Sequence, residues 1–277
     1  KSASDNKYTN VESIPPRGII YDRSGTVLVS NRNTFSIKIY PNHFDDSFNT
    51  DLFYKIINSA DKRSKLFISK NEFKGHINDY KRNTIKKYKP VTIINFVDFK
   101  TKALLSENKN DFPGLVFSIN PSRFYQKSPN ISHVLGYLRP VPKDSVYDGS
   151  YYNINDIIGI DGIERVYEKK LRGTKGLAIK LVDVHNRDQG KFKNGEYDIS
   201  SKNGKSIITT IDIKLQEYGE NLMKNKVGAI VAIEPNSGEI LALISSPSYN
   251  PNLLIGRDRS INYKDLVNDV NKPLFNR

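Results

Sequence analysis

The sequence predicts an α+β chain built from more than one unit, and three observations carry this. Short runs of β-type residues are joined by turn chemistry at 18–29 and again at 227–244. Helical spacing of apolar residues falls in separate short stretches, at 51–57, 161–171 and 212–222. Between about 42 and 113 the texture changes, and basic polar stretches interrupt the strand pattern. A length of 277 residues fits about two domains.

Residues 1–13 are polar without periodicity, which predicts a linker, and Pro15-Pro16 then punctuates the chain. Gly18–Tyr21 and Thr26–Val29 read as strands, and Asp22-Arg-Ser-Gly25 between them has turn chemistry, so a hairpin is expected. Phe35, Ile37 and Ile39 alternate with Ser36, Lys38 and Tyr40, as in a half-buried strand. Leu52, Phe53, Ile56 and Ile57 share one helical face. Val91–Val97 is a strand and Asp111–Gly114 a turn, so 42–113 reads as a small inserted α+β lobe. Leu115–Ile119 resumes the strand pattern.

Ile163, Val166, Tyr167 and Leu171 then fall at i, i+3, i+4 and i+8. Asp161 is placed to cap this helix with Glu164 three residues on, and Gly173 ends it. Leu177–Val182 is a strand, and 184–205 reads as a polar, turn-rich connection. Ser206–Ile211 is a further strand, and Asp212 caps a helix with Leu215, Tyr218 and Leu222 on one face. Val227–Ile233 and Glu239–Ile244 form a hairpin through Pro235–Gly238. Both strands are apolar on successive positions, so both faces call for cover. Two strands cannot supply it alone, and no further strand follows 245, so this layer is expected to be incomplete.

Lys and Arg number 43 against 30 Asp and Glu, a formal charge of +13. Apolar residues at 37 % and charged residues at 26 % place the chain among globular proteins and exclude full disorder. The absence of cysteine excludes a disulfide scaffold, thiolate metal sites and a cysteine nucleophile. His43, His76, His133 and His185 are scattered, which argues against a histidine metal cluster. No run approaches the ~18 apolar residues of a membrane span. The densest basic stretch, Lys81–Lys89, is preceded by Lys62, Arg63, Lys65, Lys70 and Lys74. It carries no RNP-like or zinc-finger spacing, and Lys outnumbers Arg 30 to 13. A solvated basic face is therefore favoured over nucleic-acid binding.

Gly204-Lys205-Ser206 resembles the end of a P-loop, but Ile199 stands where its first glycine belongs. Ser-x-x-Lys occurs at Ser4/Lys7, Ser59/Lys62 and Ser106/Lys109. Composition alone predicts about three such matches, because the motif is short. There is no Lys-Thr-Gly, and Ser4-Asp5-Asn6 lies in the polar start. No catalytic serine is expected in this chain.

Six segments in order carry a family resemblance. They are Pro16-Arg-Gly-Ile-Ile-Tyr-Asp-Arg-Ser-Gly-Thr-Val-Leu28, Arg123-Phe-Tyr125 with His133-Val-Leu-Gly-Tyr137, and Gly159-Ile-Asp-Gly-Ile-Glu164 with Tyr167-Glu-Lys-Lys-Leu-Arg-Gly173. Thr210-Ile-Asp212 with Leu215-Gln216, Gly228–Ala242 with Ser246–Asn252, and Pro273–Arg277 complete the set. Together they resemble the class B penicillin-binding proteins, particularly the elongation type. Asn250 departs from the aspartate common there.

The resemblance implies a juxtamembrane linker at 1–13 and an elongated non-catalytic pedestal at 14–41 and 114–200. It also implies a head lobe at 42–113 and the incomplete first part of a transpeptidase domain (antiparallel sheet plus helices) at 201–277. It implies a D,D-transpeptidase parent on the extracytoplasmic, periplasmic face of the bacterial inner membrane, anchored by a helix before Lys1. Its nucleophilic serine would lie beyond Arg277, leaving this fragment inactive. The expected partners are peptidoglycan stem peptides, a membrane glycan polymerase and elongation scaffold proteins. β-Lactams would bind only with the catalytic part; no cofactor, metal or nucleic acid is expected. Arg17, Gly18, Asp22, Arg23, Gly159, Gly162 and Glu164 are expected to be structural, with Arg17, Asp22, Arg23 and Glu164 forming an ionic lock between the first hairpin and the 162–172 helix. The alternatives are a stand-alone envelope scaffold and a cytoplasmic nucleic-acid binder.

Overall fold

The computed structural model describes residues 7–60, 69–84, 86–128, 130–141, 151–153, 156–182 and 188–277. In chain order the elements are β1 (Lys7–Ser13), β2 (Ile20–Tyr21), β3 (Val27–Ile39), α1 (Thr50–Ala60), α2 (Lys70–Arg82), β4 (Val91–Val97), α3 (Phe99–Glu107) and β5 (Leu115–Tyr125). There follow α4 (Ser132–Leu135), β6 (Leu138–Pro140), β7 (Ile157–Gly159), α5 (Gly162–Val166), α6 (Glu168–Leu171), β8 (Gly176–Val182) and β9 (Asp188–Lys191). The chain continues through β10 (Ile207–Ile208), α7 (Ile213–Leu222), β11 (Gly228–Ile233), β12 (Ile240–Ser246) and α8 (Arg259–Asn268). This is a mixed α/β fold, in keeping with the α+β class that the sequence predicts.

The chain forms two compact units. The first takes 1–14, 33–121 and 175–201; the second takes 15–32, 122–174 and 202–277. The stretch 42–113 thus lies within a larger unit, and 202–277 shares a unit with the first hairpin, where β10 pairs in parallel with β2.

In the first unit, α1 turns Phe53, Ile56 and Ile57 inward, as its apolar spacing requires. They meet Phe48, Phe73 and Phe112 in an aromatic core, with the Phe53 and Phe73 rings stacked at 5.5 Å. Ser69 and Glu72 close a capping box at the start of α2. The alternation seen at Phe35–Ile39 belongs to one long strand, β3, paired with β4. Residues 7–13, expected in a linker, instead form β1, antiparallel to β8 from Lys7↔Val182 to Ser13↔Gly176. β1 is an edge strand, and Tyr8 and residues 10–13 are all exposed. Backbone pairing holds it without an inward face, so its side chains carry no apolar period.

Of the basic stretch, Lys62, Arg63 and Lys65 lie outside the described residues. Lys70 pairs with Asp51, Lys81 donates to the Phe44 carbonyl at 2.6 Å, and Arg82 lies 3.7 Å from Asp79.

In the second unit, the hairpin β2–β3 forms around Asp22–Gly25 as its turn residues predict. Ile20, Leu28 and Val29 from this hairpin pack with Tyr125, Ile131, Leu135, Leu171 and Ile211. The 162–172 helix is broken at Tyr167 into α5 and α6. Its expected apolar face is only half present: Leu171 is buried, but Val166 is 76 % exposed and Tyr167 is exposed too. Glu164 and Glu168 point inward instead, because charged partners await them there.

α7 also corrects its expected face. Leu215, Tyr218 and Leu222 are exposed, and Gln216 and Gly219 face β12. A β-carbon on Gly219 would sit 2.6 Å from the Ile244 side chain, so α7 docks through its smallest residue. β11 and β12 form a two-stranded sheet with Val231 and Ile233 exposed, which leaves the layer open within the described residues.

Phe73→Ala is expected to cost about 3–5 kcal/mol by opening the aromatic core. Leu222→Ala, on the exposed face of α7, should stay within about 0.5 kcal/mol. Urea unfolding followed by circular dichroism checks both.

Candidate functional site

The residues of most chemical interest meet in the second unit, where three chain segments bring charged side chains together. Gly18 sets the approach of the first. Its N–H donates to the Leu171 carbonyl at 2.9 Å, and a β-carbon there would lie 2.0 Å from the Lys205 carbonyl oxygen, so only glycine fits. Arg17 is thereby directed at the α5–α6 segment. The second segment is the end of β5, where Arg123 and Tyr125, two residues apart on a strand, share a face. The third is α5–α6, where Glu164 and Glu168 share a face at i, i+4.

Glu164 is fully buried and accepts on both oxygens. Arg17 Nη2 lies 2.7 Å from its Oε2, and Arg123 Nε lies 2.6 Å from its Oε1. Glu168 takes the Arg17 fork, from Nη1 at 3.0 Å and Nη2 at 2.8 Å. It also accepts from the Tyr152 hydroxyl at 2.8 Å and the Gly159 N–H at 2.9 Å. Arg123 Nη1 donates to the Gly18 carbonyl at 2.7 Å and to Asn31 Oδ1 at 3.2 Å, and Asn31 Nδ2 donates to the Arg17 carbonyl at 2.7 Å. Two guanidiniums and two carboxylates sum to no net charge.

Burial alone would raise the Glu168 carboxyl. The Arg17 hydrogen bonds and charge, the Gly159 N–H and the Tyr152 hydroxyl outweigh it and hold the group below its ordinary value of 4.5. Burial also works against the Arg17 guanidinium, yet Glu164 and Glu168 raise it above its usual range. Tyr152 is pushed up by burial and by its bond to Glu168.

Asp22 and Arg23, expected in the same lock, stand apart from it. Asp22 is buried within its own turn and accepts from Ser24 N at 2.9 Å, from Ser24 Oγ and from Thr26 N at 2.6 Å. Burial opposes its charge, but these donors hold its carboxyl below the usual value. The Arg23 side chain lies 3.6 Å from Glu239, with both side chains partly exposed. Asp22 and Arg23 lie five and six residues beyond Arg17, and strand β2 (Ile20–Tyr21) between them carries these groups away from it. Asp161 caps α5 through Gly162 N at 2.9 Å, and Glu164 is committed to the arginines and not to a capping box.

Gly159 and Gly162 answer to space. β-Carbons there would meet the Glu164 and Val134 carbonyl oxygens at 2.2 and 2.4 Å. Arg123, Glu168, Asn31 and Tyr152 were not expected in the cluster. The i, i+4 spacing of Glu164 and Glu168, and the i, i+2 spacing of Arg123 and Tyr125, were the available signals.

The arrangement can clamp segments, but every carboxylate oxygen is already occupied by donors. Among the described residues no group of three or more His, Cys, Asp and Glu side chains could hold a metal ion. Ser59 Oγ donates back to the Ile56 carbonyl at 3.1 Å, at the C-terminal end of α1, and Lys62 lies outside the described residues, as does Ser4. Ser106 is exposed on α3. Asn252 pairs its side-chain amide with the Tyr125 backbone, at 3.0 and 2.8 Å, while Asn250 Oδ1 accepts from Asn252. Position 250 needs an acceptor, which aspartate would equally supply.

Glu164→Ala is expected to destabilise the second unit by about 3–5 kcal/mol, because two buried guanidiniums lose their partner. Arg23→Ala should cost no more than about 1 kcal/mol. Thermal unfolding compares the two. Because the Glu168 pKa is depressed in the folded state, its contribution is present above 4.5 and is lost as pH falls through the lowered value. The unfolding midpoint should therefore hold from pH 8 to about 5 and drop below that, with a shallower drop in Glu168→Gln.

Comparison with known proteins agrees with this architecture. Residues 12–209 match the penicillin-binding protein dimerisation domain. The peptidoglycan D,D-transpeptidase MrdA of Escherichia coli K12 is 31 % identical over 282 residues, covering 99 % of this chain and 42 % of that protein. Penicillin-binding protein 3 of Bacillus subtilis 168 is 32 % identical over 282 residues, covering 99 % and 38 %. The chain thus spans less than half the length of these relatives. A solved complex between penicillin-binding protein PBP2 and MreC from Helicobacter pylori shares the fold, with a TM-score of 0.72 at 24 % identity over 98 % of this chain and 49 % of that one. The chain belongs to the penicillin-binding protein dimerisation-domain family, among the class B proteins of the elongation type.

Proposed function

We propose that this chain is the non-catalytic pedestal, with the opening of the transpeptidase domain, of a peptidoglycan D,D-transpeptidase acting in cell-wall cross-linking, elongation and cell shape. The observation that carries the reading is similarity to MrdA along 99 % of the chain, together with the family match over 12–209. In such an enzyme a serine hydroxyl attacks the carbonyl carbon of the penultimate D-Ala of one stem peptide. The terminal D-Ala leaves as the amine and an acyl-enzyme forms, which the amine of a neighbouring stem then resolves. β-Lactams acylate the same serine. The nucleophile belongs to the part of such proteins that this chain does not cover, so the chain alone is inactive.

Its own residues serve to position. Arg17 and Glu164, with Gly18, Gly159 and Gly162 allowing close approach, fasten the first hairpin to α5–α6, and Asp22 and Arg23 shape the hairpin turn. The exposed face of α7 and the open β11–β12 layer receive the rest of the catalytic sheet. The pedestal stands on the periplasmic face of the inner membrane, anchored by a segment preceding Lys1. Among the described residues, no helix is long and apolar enough to cross a membrane. Solved structures of this fold include the PBP2 complex with MreC and a peptidoglycan synthase complex that coordinates polymerization and crosslinking, the latter with a TM-score of 0.65. By extension, the partners here are a scaffold protein of the MreC type and a membrane glycan polymerase, with contact through the lobe at 42–113.

A fluorescent penicillin should leave this chain unlabelled and should label a version extended to the full length of its relatives at one serine. Covalent labelling of Ser59 or Ser106, or no labelling of the extended protein, would overturn the reading.

A further inference from the structure

In the first unit, one bulky residue sits where backbone geometry ordinarily calls for glycine. β3 and β4 pair at Phe35↔Val97 and at Ile37↔Ile94, so β4 carries one residue more than β3 between these points. That is a β-bulge, and Phe96 within it has φ 58, the left-handed region. Glycine is the usual occupant of a left-handed bulge position, and for a bulky side chain this φ is an outlier. A strained residue persists only where its surroundings over-determine it, and such strain gathers at functional positions. Here burial of the ring is no compensation, because Phe96 is 39 % exposed.

Three residues on, Phe99 opens α3 and is 71 % exposed. Asp98 fixes that helix start by accepting from Thr101 N at 2.9 Å. Phe35 beneath it is buried, with its ring 6.4 Å from that of Phe99. Lys102 Nζ lies 4.7 Å from the Phe35 ring and 5.8 Å from the Phe99 ring, and Lys100 is exposed beside them. Neither lysine is paired with a carboxylate among the described residues. The lobe has an ample aromatic core of its own, so these two rings are held outside it by the backbone.

We propose that Phe96 and Phe99, flanked by Lys100 and Lys102, form the docking surface for a partner segment that presents apolar side chains between carboxylates. The two rings supply apolar area with little side-chain entropy to lose, and the ammonium groups, which have no carboxylate partner among the described residues, select an acidic rim. The inference rests on the scaffold-docking reading above and gives that contact its surface.

The test uses the soluble part of the MreC homologue from the same organism, titrated against the wild-type chain and against Phe96→Gly, Phe99→Ser and Lys100→Glu/Lys102→Glu. Phe96→Gly relieves the strained φ, so its thermal midpoint should equal or exceed that of the wild type while binding weakens by about tenfold or more. Phe99→Ser, at an exposed position, should weaken binding similarly with an unchanged midpoint. The double charge reversal should weaken binding and reduce its salt dependence. Wild-type binding that survives in Phe96→Gly and Phe99→Ser would overturn the surface and leave scaffold docking standing. A folded wild-type chain that does not bind would overturn the docking reading, and the surface with it.

Discussion

Glu164 is a single carboxylate with no exposed surface, and two arginines from distant parts of the chain close on it. Arg17 lies 147 residues before it and Arg123 lies 41 before it. Taking these charges out of water costs several kcal/mol per ion, and the mutual attraction recovers that cost only when the remaining donors and acceptors are also satisfied. Here most are, although Arg17 Nε and Arg123 Nη2 are buried without a hydrogen-bond partner among the described residues. Glu168 takes the fork of Arg17, Tyr152 and Gly159 supply Glu168, and Gly18 and Asn31 receive Arg123. The cluster is therefore better viewed as a constraint on geometry than as a reservoir of stability. An apolar cluster of equal volume could stabilise the unit as well. It could not require that hairpin, β5 and α5–α6 meet at one register and one orientation, because only matched hydrogen-bond geometry does so.

The glycines follow from that constraint. A guanidinium fork can reach a buried carboxylate only if the backbones carrying them come close. The approach leaves a Gly18 β-carbon 2.0 Å from one carbonyl oxygen and a Gly159 β-carbon 2.2 Å from another. The same demand explains the break at Tyr167. Glu164 and Glu168 must both turn inward, and the helix yields at Tyr167 (φ −102, ψ 20), leaving Val166 outside. Local apolar preference loses to ion pairing at this point, because an unpaired buried guanidinium would cost more than an exposed valine.

That contest decides what was legible in the sequence. Where one preference acts alone, residues and structure agree: the Asp22–Gly25 hairpin, the apolar face of α1, the β4 strand and the Asp212 cap of α7 all stand as read. Strand β1 was illegible because an exposed edge strand needs no apolar period. The i, i+4 spacing of Glu164 and Glu168 was visible but pointed the other way, because charge at that spacing normally marks a solvated face. The partner of Glu168, Arg17, lies 151 residues away, and nothing local points to it. The lock was expected to include Asp22 and Arg23, but strand β2 lies between them and Arg17 and carries them away from it.

α7 docks beside the open layer. α7 meets β12 through Gln216 and Gly219, and the amide of Gln216 donates to the Leu243 carbonyl at 3.0 Å and accepts from the Leu243 N–H at 2.9 Å. Along the same edge, Thr210 Oγ1 donates to the Ile240 carbonyl at 2.7 Å and Asp212 N to the Leu241 carbonyl at 2.8 Å. Residues 210–216 thus occupy the outer edge of β12, in the way that natural sheets close an edge against unwanted pairing. The outer edge of β11 has no such cover among the described residues, and its own Val231 and Ile233 are exposed. Any strand that extends this sheet must therefore join beside β11, which makes β11 an interior strand. An interior strand covered on both faces reads as a continuous apolar run, and Gly228-Ala-Ile-Val-Ala-Ile233 is such a run.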